Sequence, residues 1–266
     1  MAAGPHRIVC LTAETAEIAF ALGLGDRVVG VTGYAVRPPE VRRKPRVAAF
    51  STAHVPRILA LKPDLVLGFS DLQAGIAADL IRAGATVLIT NQRTLAETYA
   101  AICLIGGALG AAELGVGLAA RLQGELERIR ETASSLPRRP RVYFEEWDGP
   151  LISGIAWVSE LIELCGGEDV FPVAGGGQAA AQRIVQAEEV LARDPEVIVA
   201  SWCGKKARLE RIGARPGWGA MAAVRSGRIF EIKAPDILQP GPSLVHGARL
   251  LASYTAACAK SDSSSS

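Results

Sequence analysis

The chain has 266 residues, 49% of them hydrophobic, enough to bury the core of one large domain or of two small ones. A formal charge of +2 with 21% charged residues supplies no field for nucleic acid or an anionic membrane, and the basic runs Arg42, Arg43, Lys44, Arg46 and Arg138, Arg139, Arg141 contain proline and read as solvated loops. No run reaches about 18 apolar residues, so membrane insertion is not expected.

Residues 1–9 lead almost at once into a strand-like run, without the apolar stretch of a secretory leader. The cysteines, Cys10, Cys103, Cys165, Cys203 and Cys258, are odd in number and form no close pair. Both features predict reduced thiols and a cytoplasmic protein, the alternative being a periplasmic one whose leader has been removed.

Strand 7–11, helix 15–22 and strand 27–31 open a β-α-β rhythm, which continues through helix 55–61, strand 65–69, helix 73–83 and strand 86–89. Short apolar strands separated by amphipathic helices predict a parallel sheet covered on both faces. Gly23, Gly25, Gly30 and Gly84 stand where helices end or the chain bends, and Pro63 stops a helix just before a strand. From residue 95 to 132 the pattern is helical, with breaks near 106–110; the segment 115–134 alone makes a helix of about 30 Å.

A second series follows: strand 142–146, helices 157–165 and 187–192, strands 197–200 and 229–232, and a last helix over 243–257. The two series share an outline, as in Ile58-Leu-Ala-Leu-Lys-Pro-Asp-Leu-Val-Leu against Val190-Leu-Ala-Arg-Asp-Pro-Glu-Val-Ile-Val. The expected architecture is therefore α/β, with two Rossmann-like lobes of parallel-rich sheets, one long rigid α-helix joining them and a ligand cleft between. Residues 1–105 form the first lobe, 106–136 the bridge, 137–260 the second lobe and 261–266 a disordered tail.

Five stretches spanning nearly the whole chain carry a resemblance. They are Arg7-Ile-Val-Cys-Leu-Thr-Ala-Glu-Thr-Ala-Glu, Val28-Val-Gly-Val-Thr-Gly-Tyr, Arg57-Ile-Leu-Ala-Leu-Lys-Pro-Asp-Leu-Val, Leu161-Ile-Glu-Leu-Cys-Gly-Gly-Glu-Asp-Val-Phe and Glu188-Glu-Val-Leu-Ala-Arg-Asp-Pro. In this order and spacing the chain resembles the helical-backbone (class III) substrate-binding proteins of ABC transporters, the binders of cobalamin, siderophores and haem. The resemblance implies aromatic stacking on a flat ligand by Tyr34, Phe50 and Phe69 of the first lobe. In the second lobe it implies cleft loops at Glu145–Gly154 and Asp236–Pro242 that carry Glu145, Trp147, Asp236 and Gln239. The family docks onto its permease through one surface glutamate per lobe; Glu188 matches the second, whereas Pro56 stands at the first.

The residues themselves add further candidates. Trp157 and Trp202 lie near strand ends of the lobe that holds Trp147. Cys203 beside Lys205 and Lys206 is a candidate low-pKa thiol or soft metal ligand, and His54 on a loop after Phe50 is a candidate axial ligand. Glu145 and Glu146 continue a strand and so point to opposite faces. The expected function is non-catalytic binding of a corrinoid, with no cofactor required, by a monomer that has no nucleic-acid partner and, as one option, an ABC permease. The alternatives are a ferric siderophore or haem as ligand, and an enzyme acting on a metal chelate through Cys203, His54 and Glu145.

Overall fold

The computed structural model describes residues 4–173 and 179–261; the triple glycine at 175–177, read from the sequence as a flexible loop, and the tail 262–266 lie outside them. The chain divides into two compact units, Met1–Gln123 with Gln239–Pro242, and Gly124–Leu238 with Ser243–Ser266.

The first lobe contains β1 (Ile8–Cys10), α1 (Ala13–Ala21), β2 (Val28–Thr32), β3 (Arg46–Ala48), α2 (Val55–Ala60), β4 (Leu65–Phe69), α3 (Ala74–Arg82), β5 (Val87–Thr90) and α4 (Leu95–Ala108). Its five strands are parallel in the order β3-β2-β1-β4-β5. Every residue of β1 and β4 is buried, as a sheet covered on both faces requires. The core joins Val9 and Leu11 to Val47, Ile58, Val66 and Leu80. Strand β3 was not expected, and its Arg46 belongs to the sheet edge instead of a loop.

The long helical stretch is two helices. A capping box at Thr94 and Glu97 starts α4, Gly110 at φ +74° lets the chain turn after it, and α5 (Ala112–Ala133) then passes from the first unit into the second. The turn is tight because two glycines meet: a Cβ on Gly106 would stand 2.8 Å from the Gly115 Cα. Gly106→Ala is therefore expected to lower stability by about 1–3 kcal/mol in denaturant unfolding; a change below about 0.5 kcal/mol would mean that the two helices separate freely.

The second lobe contains β6 (Arg141–Asp148), β7 (Leu151–Ser153), α6 (Ala156–Leu164), β8 (Glu168–Asp169), α7 (Ala187–Arg193), β9 (Val197–Ala200), α8 (Leu209–Gly213), α9 (Ala222–Arg225), β10 (Ile229–Glu231), α10 (Ala234–Ile237) and α11 (Leu244–Ser261). The sheet order is β10-β9-β6-β7, with β8 also on β6. Strands β6, β8, β9 and β10 run parallel, and β7 turns back antiparallel on the end of β6. Its core gathers Tyr143, Ile198, Trp202, Ile212 and Trp218. No helix among the described residues is long and apolar enough to cross a membrane.

Candidate ligand-binding site

Parallel strands end at one edge of each sheet, and the loops there are where α/β folds place ligands. In the first lobe Tyr34 follows β2, Phe50 follows β3, Leu72 follows β4 and Arg93 follows β5. Tyr34 is 48% exposed and Leu72 is 65% exposed, so both side chains are open to solvent at this sheet edge. Phe50 is half-buried and held from below: the fully buried Gln73 donates from Nε2 to the Phe50 carbonyl at 2.8 Å and accepts from the Phe69 amide at 3.2 Å.

Phe69, expected to stack on a ligand, is instead a core ring lying 5.2 Å beneath the Arg93 guanidinium. Arg93 donates from Nη2 to Asp71 Oδ1 at 2.7 Å and to Ser70 Oγ at 3.3 Å. The Ser70 hydroxyl, and after it the Arg93 charge, hold the Asp71 carboxyl below its ordinary range. Ser70 has φ +81°, a strained value for a non-glycine residue, which turns its hydroxyl into this cluster. Sequence reasoning overlooked Arg93 and Leu72, although both stand at positions directly after parallel strands, and that rule alone would have found them.

His54 caps α2: its Nδ1 accepts from the Arg57 amide at 3.1 Å. An accepting Nδ1 leaves the neutral ring's proton on Nε2, so the ring as capped offers no free nitrogen to a metal. No group of three His, Cys, Asp or Glu side chains among the described residues could hold a metal ion.

The second lobe departs further from expectation. Trp157 and Trp202 are each 3% exposed core side chains; the first donates to the Ile237 carbonyl at 2.9 Å, the second to Glu145 Oε1 at 3.0 Å. Glu145 is fully buried and clamped by both terminal nitrogens of Arg215, so it faces the core and not a ligand. Glu146 points to the other face, as strand alternation requires, and pairs with the buried Arg183 at 2.6 Å.

Trp147 stands at the end of β6, partly buried, with Lys205 Nζ 3.9 Å from its ring centroid and 4.8 Å from that of Trp202. Lys205 also pairs with Asp148 at 2.6 Å. A solvent-exposed ammonium group thus already lies over the Trp147 ring. Lys205 is committed to this cluster, and the Cys203 thiol, although the residue is exposed, is pushed up and not down, by partial desolvation and then by the Glu146 charge. Asp236 is buried in α10, whereas Gln239 belongs to the segment that packs with the first lobe. Glu188 is exposed in the first turn of α7, and Pro56 is exposed in α2.

The sequence matches the family described as periplasmic binding protein over residues 8–235. It is 30% identical over 258 residues to an uncharacterized ABC transporter substrate-binding lipoprotein, YvrC, of Bacillus subtilis, covering 93% of this chain and 79% of that one. The periplasmic heme-binding protein RhuT from Roseiflexus sp. RS-1 superposes with a TM-score of 0.83 at 27% identity, over 96% of this chain and 100% of that one. The periplasmic vitamin B12-binding protein BtuF of Vibrio cholerae superposes with a TM-score of 0.75 at 27% identity, over 96% of this chain and 98% of that one. These matches correct the cytoplasmic setting expected from the cysteines and the N-terminal residues, because the family and its relatives are periplasmic binding proteins.

Proposed function

Because the chain belongs to the periplasmic binding protein family, among the helical-backbone substrate-binding proteins of ABC transporters, we propose that the small molecule it binds is a metal tetrapyrrole, with haem ahead of a corrinoid. Members of this family bind their ligand without acting on it, and the chain is not an enzyme.

The observation that carries the haem reading is the exposed phenol of Tyr34 at the end of β2, with Phe50 on the adjoining strand end. A tyrosine oxygen is an established axial ligand for haem iron, and apolar side chains beside it suit the flat macrocycle. Arg93, at the end of β5, adds a guanidinium fork that a ligand carboxylate can take over from Asp71. Haem carries two carboxylates, whereas the periphery of a corrinoid is rich in neutral amides. The corrinoid reading draws on the likeness to the vitamin B12-binding protein.

Absorption titration of the native chain with haem and with cobinamide separates the two. The haem reading expects a saturable Soret shift with haem and a much weaker response to cobinamide; the reverse pattern selects the corrinoid. Arg93→Ala is expected to weaken haem about tenfold and to leave cobinamide unchanged. Delivery then runs to an ABC permease, with Glu188 on α7 as one contact and Pro56 marking an asymmetric one on α2.

A further inference from the structure

Glu14, in the first turn of α1 at the end of the central strand β1, is 2% exposed, and its Oε1 is buried without a hydrogen-bond partner. Above it passes the strap Gln239–Pro242, which returns to the first lobe from a distant part of the sequence. The strap presses on Glu14 directly: a Cβ on Gly241 would stand 3.0 Å from the Glu14 Cβ. Among the described residues a single long hydrogen bond holds it, from Gln92 Nε2 to the Pro240 carbonyl at 3.4 Å. Gln92 Oε1 is itself buried without a partner. The two side chains that touch Gly241 and Pro240 of the strap thus each carry a buried acceptor oxygen without a donor.

We infer that Glu14 makes the strap a proton-operated latch, shut while the carboxyl carries its proton and lifted when the carboxylate must be hydrated. The neutral acid supplies the missing donor O–H and tolerates an apolar cover; an anion in the same place has no counter-charge. On the elements packed against α1, the titratable groups are Cys10 on β1, Asp26 and Arg27 in the 25–27 turn, and Glu97, Tyr99 and Cys103 on α4, while β2, β4 and the strap carry none. Only Glu17, on α1 itself, acts on the Glu14 carboxyl through charge, and it has the same sign. Burial is the dominant influence and pushes the group from 4.5 up to about 7, against the opposing hydrogen bond from Thr12. The latch therefore works around neutral pH and needs no ligand to operate.

The Cα relaxation order parameters of Gln239–Pro242 in the full chain read the strap directly. They are expected to fall from about 0.85 to below about 0.6 between about pH 5.5 and about pH 8.5 in the native chain and to stay flat in Glu14→Gln. Strap order that is independent of pH, or that falls equally in Glu14→Gln, would overturn the latch. Should that variant not fold, the carboxyl carbon shift of Glu14 in the native chain decides: a transition coincident with strap opening supports the latch, and titration in the ordinary glutamate range overturns it.

Discussion

Arg215→Ala is expected to destabilise the second lobe by about 3–5 kcal/mol in denaturant unfolding. Glu145 is fully buried, and its two oxygens take both terminal nitrogens of Arg215, with Trp202 Nε1 as the third donor. Removing the guanidinium leaves a carboxylate in a low-dielectric interior with one neutral donor, and it also strips the cation from the Trp218 ring, 4.5 Å away. The paired replacement Glu145→Leu with Arg215→Met is expected to recover most of the loss, because desolvating both charges is itself unfavourable. A loss below about 1 kcal/mol in Arg215→Ala would show that water or another cation reaches Glu145.

The second large effect is the dependence of stability on pH through Glu14. Its folded value of about 7 lies above the ordinary 4.5, so the native state binds the extra proton over that interval. The stability this group contributes is then complete below about pH 4.5 and is lost as pH rises through about 7. At about 1.4 kcal/mol per pH unit the whole effect is on the order of 3 kcal/mol. Glu14→Gln removes that slope, so the native chain is expected to lose ground to the variant steadily between pH 4.5 and about 7. Parallel stability curves for the two proteins would place the Glu14 carboxyl in water.

What the sequence made legible follows from how strongly each feature is coded locally. Strands β1, β4 and β9 are apolar runs buried on both faces, and their pattern stands out against the polar helix faces around them. Strand β3 is three residues beginning with an exposed arginine, and β7 is three residues beyond the Gly149-Pro150 turn; neither is long enough for a period to register. The opposite faces of Glu145 and Glu146 came from strand alternation alone, but which face is core depended on Arg215, 70 residues away.

Side chains at the candidate site were harder to read. Tyr34 follows β2 and Phe50 follows the unexpected β3, whereas Trp157 and Trp202 are core, since a tryptophan near a strand end carries no mark of which way it points. Cys203 looked activated because two lysines follow it; the fold commits Lys205 to Asp148 and two indole rings instead. Glu14 passed unnoticed because an acid in the first turn of a helix is ordinary where it is solvated. Only the distant strap makes it unusual.

Resonance Raman spectroscopy of the haem complex tests most directly the proposal that a tetrapyrrole is held at the strand ends of the first lobe with Tyr34 on its metal. An iron–phenolate signature in the native complex that disappears in Tyr34→Phe is the predicted result, and an identical spectrum in both proteins, or no haem complex at all, would contradict it.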